Sequence, residues 1–198
     1  MKIIYRYKNR FTSVAIVSLF FLVCFISACN ENPTKVDDKT MSIEENDTPI
    51  ESSIELDNSF IATAAKNNLE QIQLGQLAQL KGNMQQVKDL GMQIVKDNVF
   101  ILKELQIIAG KKQITLPATL SAEAQAFYSN IVNKEGTDFD KEYINKIVED
   151  NKADIKKYKY IARGAVDKDI SHWVNLKLPI LKMHLDSAFA YQAILLEN

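Results

Sequence analysis

Apolar side chains that recur every three or four residues constrain the fold more than any other feature of this sequence. From Ser59 to the end of the chain the apolar residues follow this spacing, which places them along one side of a helix. No run of alternating β-branched residues and no hairpin signal interrupts the pattern. The sequence therefore predicts an all-α fold, and residues 59–198 form the predicted domain.

Glycines and a proline divide this region into helices, with glycine ending four of them. The predicted bounds are about 59–81, 83–110, 121–136, 137–164 and 168–198. Asn83, with Gln86 three residues later, resembles a capping box at the start of the second helix. Pro179 lies inside the last helix and lacks a backbone N–H, so we expect a kink or an interruption there.

The lengths of the connections predict the topology. Only a few residues join the first two helices and the last two long helices, so each pair must form an antiparallel hairpin. About 28 residues, 110–137, join the two hairpins and carry the short helix. Two hairpins with one long connection are typical of a ferritin-like four-helix bundle. An up-down-up-down bundle with a decorated middle loop is the alternative.

One polar residue interrupts the apolar side of each long helix. These residues are Glu70, Asn98, Asn151 and His184. At a rise of 1.5 Å per residue, the two members of each hairpin lie level to within roughly 6 Å. All four side chains can therefore meet in one layer, which is how metal sites inside helical bundles are built.

The layer has two interpretations. A transition-metal site would use Glu70 and His184 as its first ligands, with Asn98 and Asn151 as weak partners. Amide oxygens are poor ligands for zinc, iron and copper, so we favour a buried, hydrogen-bonded layer that fixes the register of the helices. No Ser-His-Asp arrangement, phosphate-binding glycine loop or evident carboxylate pair points to catalysis, and we predict no catalytic residue.

The first 28 residues have the pattern of a secretory signal peptide. Four basic residues precede an apolar run over 11–26 that is too short for a membrane span of about 20 residues. The run ends in Ile26-Ser27-Ala28-Cys29, which resembles the lipobox of bacterial lipoproteins. That resemblance implies cleavage before Cys29 and acylation of its thiol. A plain signal peptide and an uncut anchor are the alternatives.

The residue at position 30, directly after the predicted acylated cysteine, indicates which membrane the lipoprotein would reach. By the same resemblance, an aspartate after the acylated cysteine favours inner-membrane retention, whereas this chain has Asn30. The predicted location is therefore the outer membrane, on its periplasmic or its external face. Cleavage also removes Cys24, so no free thiol remains for catalysis.

An acidic segment follows the proposed cleavage site. Residues 30–58 carry a net charge of −7 and no aromatic side chain, so they cannot bury enough surface to order themselves. We expect residues 29–58 to be a flexible tether that lifts the domain off the membrane. A sorting or docking signal is the alternative.

Charge excludes a broad class of partner. The whole chain has 24 basic and 25 acidic residues, which leaves no footprint for nonspecific nucleic-acid binding. Lys152, Lys156, Lys157 and Lys159 are interleaved with tyrosines, as in a patch for nucleic acid or lipid headgroups. Lysines near the end of a helix are more often a solvated face that complements the helix dipole, and we predict no nucleic-acid partner.

Residues 60–192 resemble the bacterial family called domain of unknown function 4142, which is placed with the ferritin-like superfamily. The matching stretches are Leu69-Glu70 with Gly75, Asp97-Asn98, Leu116-Pro117, Phe139-Asp140 with Tyr143, Asp150-Asn151, and Leu178-Pro179 with His184. The family tends to have histidine where this chain has Asn98 and Asn151. The resemblance implies the fold and an envelope location, but no settled activity.

The predicted function follows from these features. We expect a lipid-anchored, non-catalytic binding or structural module of the cell envelope, with membrane lipid as its partner through acylated Cys29. The alternative is a metal-binding or redox bundle with a degenerate site, in which a transition metal would be the cofactor.

Overall fold

Five helices make up the part of the chain that the structure, a computed structural model, describes: residues 49–197. The predicted signal peptide, Cys29 and most of the predicted tether lie outside this range. The helices are α1 Pro49–Lys81, α2 Gln85–Lys112, α3 Ala122–Ile131, α4 Gly136–Gly164 and α5 Lys168–Glu197. Residues 49–197 contain no strand, which confirms the all-α prediction. None of the described helices is both long and apolar enough to cross a bilayer.

Helix α1 begins ten residues earlier than predicted, so residues 49–58 of the predicted tether are helical. Proline is favoured in the first helical turn, where Pro49 stands. Asp57 is almost fully buried, and its carboxylate accepts a hydrogen bond from the backbone N–H of Asp167, 3.0 Å away. The acidic composition was misleading because one of these acids contacts the turn between α4 and α5.

The start of α2 also differs from its prediction. Its N-cap is Met84, whose side chain makes no capping hydrogen bond, so the predicted Asn83–Gln86 capping box is wrong. The carboxylate of Asp140, from α4, instead accepts hydrogen bonds from the backbone N–H groups of Asn83 and Met84, both at 2.8 Å. A residue 56 positions away therefore supplies this cap.

Glycine was an unreliable stop signal. Helix α2 continues past Gly110 to Lys112, and Gln113 adopts the left-handed conformation that closes it. Helix α3 starts where predicted, with the Ser121 hydroxyl accepting from the backbone of Ala124, but it ends at Ile131. Gly136 begins α4 instead of ending the short helix.

Helix α5 runs through Pro179 without interruption. Proline leaves the carbonyl four residues earlier, that of Asn175, without its helical partner. Both residues lie on the exposed side of the helix, where water can satisfy that carbonyl. The predicted interruption is therefore wrong.

The four long helices form two hairpins, α1–α2 and α4–α5, that pack through α1 on α4 and α2 on α5. Contacts run in opposite order along α1 and α4: Asn67 bonds to Asp154, and Glu70 pairs with Lys146. Helices α1 and α4 are therefore antiparallel. Asp140 also places the start of α4 at the start of α2, so α2 and α4 run in the same direction. The up-down-up-down alternative is wrong, and residues 113–135 return along the bundle.

The core is divided into two apolar clusters. One cluster, around Phe60, Leu105 and Trp173, fills the end of the bundle where α4 turns into α5. The other, around Leu74, Ile94 and Tyr143, fills the end where α1 turns into α2. In each of the four long helices, buried polar residues separate the residues of one cluster from those of the other. These polar residues define the candidate site.

Candidate functional site

Five buried polar residues form the polar layer between the two apolar clusters. They are Asn68 and Gln71 from α1, Asn98 from α2, Asn151 from α4 and His184 from α5. They line a cavity of about 10 Å³, which has room for roughly one water molecule. The structure thus brings together three of the four predicted residues, Asn98, Asn151 and His184.

The three asparagines of the polar layer use their amides in the same way. Each side-chain nitrogen donates to the backbone carbonyl four residues earlier, at 2.7 Å for Asn68 and 2.9 Å for Asn98 and Asn151. In addition, Asn68 Oδ1 and Gln71 Oε1 are buried and have no hydrogen-bond partner among residues 49–197. The cavity therefore has unmatched acceptors, and a group that donates hydrogen bonds or carries positive charge would satisfy them.

His184 reaches its partner on the neighbouring helix. Its Nε2 lies 2.8 Å from Asp97 Oδ2, and an ionised carboxylate can only accept, so Nε2 carries the proton. Burial lowers the pKa of His184, and the adjacent Asp97 opposes that effect. Gln93 also donates to Asp97 Oδ2, at 2.7 Å. Sequence reasoning recorded Asp97 only as part of a motif and missed its role as the partner of His184.

Glu70 is not part of the polar layer, and its predicted place there is wrong. Its carboxylate lies 3.0 Å from the ammonium of Lys146, in a separate pocket of about 150 Å³ between α1, α4 and the start of α3. Lys146 also bonds to Asp150 at 2.7 Å. Asn68 and Gln71 take the position predicted for Glu70, and Gln71 also lines the pocket that holds Glu70.

This second pocket, the carboxylate pocket, holds carboxyl groups with altered acidity. Burial raises the pKa of Asp150 to about 6, with the ion pair to Lys146 opposing the change. Burial likewise raises the pKa of Asp154 to about 6, although Asn67 donates to its Oδ1 at 2.7 Å. Asp154 and Gln71 line both the carboxylate pocket and the cavity of the polar layer, so the two are neighbours.

The predicted first metal ligands do not converge. Glu70 and His184 line different cavities, and each is engaged by a charged side chain from another helix. Within residues 49–197, no three His, Cys, Asp or Glu side chains are grouped so that they could hold a metal ion. The described geometry thus favours amide hydrogen bonds within helices and charged pairs between helices over a carboxylate-rich di-metal arrangement.

Comparison with known proteins gave one match. Residues 45–190 match the family described as "Domain of unknown function (DUF4142)", which covers well over half of the chain. No curated protein and no solved structure matches this sequence.

Proposed function

This chain belongs to the DUF4142 family, and we propose that it is a lipid-anchored, non-catalytic module of the cell envelope with a ferritin-like bundle. The observation that carries the proposal is the hydrogen bonding of the side chains in the polar layer. Its three asparagines bond to their own helices and His184 bonds to Asp97. The pair of His184 with Asp97 joins α5 to α2, whereas the asparagine amides are used within their own helices, and an amide is neither a nucleophile nor a base.

The ferritin-like assignment draws support from the helix directions. Two antiparallel hairpins are joined by one connection that returns along the bundle, so α2 and α4 run in parallel. One long crossover of this kind is the arrangement of ferritin-like bundles. The polar layer occupies the middle of the bundle, where such proteins place their metal ions, with two amides where related chains tend to have histidines.

The envelope location rests on the N-terminal sequence. The ending Ile26-Ser27-Ala28-Cys29 gives a site for acylation, and Asn30 favours the outer membrane. Several acyl chains on one cysteine anchor a protein stably, since each buried methylene contributes roughly 0.8 kcal/mol. Residues 30–48 would then form the spacer between the lipid and α1.

Acylation is tested by labelling bacteria that express the full chain with an alkyne analogue of palmitate. We expect label on the wild-type protein and on the C24S variant, and none on C29S. The two cysteines are only five positions apart, which makes C24S a matched control. Label that persists on C29S, or that never appears, contradicts the anchor.

A metal-binding bundle is the second candidate, and one observation favours it. The cavity of the polar layer presents unpartnered oxygens of Asn68 and Gln71 beside His184, and a carboxylate such as Asp97 commonly orients a metal-bound histidine. Elemental analysis of full-length protein purified without chelator tests it. Stoichiometric iron, zinc or copper that is lost in H184A but kept in H172A, whose histidine is exposed, would establish this candidate.

A further inference from the structure

A large apolar groove with a basic rim lies between α4 and α5, away from the polar layer. Its volume is about 690 Å³, and Ile155, Tyr160 and Leu185 contribute apolar surface to it. Its charged lining residues are Lys152, Lys156, Lys159 and Arg163. Grooves of this size accommodate a small organic ligand, and this one is lined by positive charge only. We call it the basic groove.

The four cations of the basic groove are not neutralised by the described residues. All four are exposed, and none forms a salt bridge within residues 49–197. Lys152 and Lys156, like Lys159 and Arg163, are four residues apart on one helix, a spacing at which like charges destabilise the helix. A bound anion would relieve this repulsion.

The helix dipole does not account for this charge. Favourable interaction of cations with the negative end of a helix is confined to its last turn, and of these four residues only Arg163 lies there. Lys152, Lys156 and Lys159 lie further back along α4. Interaction with the helix dipole, the role predicted for these lysines from the sequence, therefore accounts for none of Lys152, Lys156 and Lys159.

Two aromatic side chains, one in the groove and one beside it, add an apolar, partly exposed surface. Tyr160 lines the groove and is 62% exposed. Phe189 is not a lining residue, but it is 39% exposed and its ring centroid lies 4.7 Å from the ammonium of Lys152. Exposed aromatic rings beside basic residues are typical of proteins at the interface between a membrane and water. The groove thus combines a binding surface for an anionic headgroup with one for acyl chains.

The position of the groove agrees with a membrane at this end of the bundle. Asp57 contacts the turn between α4 and α5, and Pro49 lies eight residues before it, about 12 Å further along α1. The chain therefore leaves the described domain at the end of the bundle where α4 ends, and the basic groove lies along the half of α4 nearest that end. The 19 residues between Cys29 and Pro49 span at most about 65 Å, so an anchored chain would keep this end near the bilayer.

We infer that the basic groove binds an anionic phospholipid of the membrane, with its phosphate on the rim cations and acyl carbon on Ile155, Tyr160 and Leu185. The argument from position rests on the proposed anchor, whereas the arguments from charge and shape do not. Bound in this way, the bundle would lie against the membrane with its α4–α5 face instead of standing away from it.

The test uses the full chain reconstituted in phosphatidylcholine vesicles that contain a photoactivatable phosphatidylglycerol. After illumination, mass spectrometry locates the lipid adducts. We expect adducts on peptides that contain residues 152–164 and Leu185. A photoactivatable phosphatidylcholine should give none there, because it carries no net charge.

Two triple variants with equal net charge make the test specific. In K152Q/K156Q/K159Q we expect the adduct yield at limiting phosphatidylglycerol to fall about a hundredfold, since each cation near an anionic surface contributes a factor of about five in affinity. In K96Q/K103Q/K141Q, which changes exposed lysines elsewhere, we expect no such fall. Circular dichroism should show that both variants are folded, because all six side chains are exposed.

Several results would overturn the inference. If phosphatidylcholine gave the same adduct yield as phosphatidylglycerol, the groove would bind lipid through its apolar surface alone. If the control variant lost as much adduct as K152Q/K156Q/K159Q, the effect would come from net charge and not from the groove. Adducts that appear only after the acids of residues 31–47 are neutralised would show that this segment occupies the groove. Absent adducts with a labelled Cys29 reject the groove alone, because the acyl chains then hold the protein on the vesicles. Adducts with an unlabelled Cys29 reject the anchor alone.

Discussion

Asp140 should be the most sensitive single carboxylate of the fold, because it holds the start of α4 to the turn between α1 and α2. It is fully buried, and its two oxygens accept hydrogen bonds from the backbone N–H groups of Asn83 and Met84. An asparagine has nearly the same shape but only one acceptor oxygen. Its NH₂ group would face the second backbone N–H, so D140N leaves one donor without a partner.

The expected cost follows from these bonds. A hydrogen bond to a charged group contributes about 1.5–3 kcal/mol, and loss of a helix cap typically costs about 1 kcal/mol and up to about 2 kcal/mol. We therefore expect D140N to lower the free energy of unfolding by about 2 kcal/mol. For a protein of this size that is a decrease in Tm of roughly 4–8 °C. D140A, which removes both acceptors, should cost more.

Thermal unfolding followed by far-ultraviolet circular dichroism provides the measurement. D138N is the matched control, since it removes the same charge from an exposed position in the first turn of α4. Loss of a favourable interaction with the helix dipole there costs about 0.3–1 kcal/mol. If D140N were no less stable than D138N, the carboxylate would not be holding the α1–α2 turn, and the account of this cap would be wrong.

Three further predictions concern packing, acidity and location. Urea titration should show that G91A lowers the free energy of unfolding by about 1–3 kcal/mol, because a Cβ there would lie 2.7 Å from the carbonyl oxygen of Gly75. The control G110A, whose Cβ would have nothing within 4 Å, should raise it by about 0.5–1 kcal/mol. Burial raises the pKa of Asp154 from its ordinary value of 3.8 to about 6, so the stability associated with its protonated form is present below about pH 4 and lost as the pH rises through 6. D154N, which keeps an oxygen for Asn67, should therefore match the wild type near pH 4 and exceed its unfolding free energy by about 1–2 kcal/mol at pH 7, while the exposed control D186N should show no such crossover. If residue 30 directs the proposed lipoprotein, N30D should move it from outer- to inner-membrane fractions on a density gradient, and an unchanged distribution would contradict the predicted sorting.

Much of the fold follows from local periodicity. Asn98 stands between Ile94 and Ile101, and Asn151 between Ile147 and Ile155, at spacings that admit only one buried side for each helix. Both asparagines are buried, as predicted. The short turns also fixed the two hairpins, because they leave the helices that they join no choice but to run antiparallel, whereas the long connection left the up-down-up-down alternative open.

Local periodicity could not predict interactions between distant parts of the chain. The cap from Asp140 to the start of α2, the pair of Asp97 with His184, and the contact of Asp57 with Asp167 each join residues more than 50 positions apart. No local spacing reports such contacts. Each polar residue looked like a solvated surface residue, a cap or a motif fragment until the tertiary structure supplied its partner.

Glu70 shows where periodicity itself becomes ambiguous. Polar residues occupy positions 66–68, 70, 71, 73 and 76 of α1, so several sides of the helix contain polar groups over the same three turns or so. Successive residues differ by about 100° around a helix, so of the neighbours Glu70 and Gln71 only Gln71 reaches the polar layer, although both line the carboxylate pocket. The apolar pattern of α1 was too weak at this level to decide which of them faces the core.

The polar layer also explains how this bundle selects one register. Apolar layers tolerate a shift of one helical turn, since leucine and isoleucine meet similar neighbours after it. A shift of α2 against α5 would separate His184 from Asp97. A shift of α1 against α4 would separate Asn67 from Asp154 and Gln71 from Asp150, although the asparagines of the polar layer would keep the bonds to their own helices. Each buried polar group left without its partner costs about 1–3 kcal/mol, and the total stability of a domain is only about 5–15 kcal/mol. A layer that contributes little net stability can therefore exclude the shifted arrangements, which accounts for its place between two otherwise apolar halves of the core.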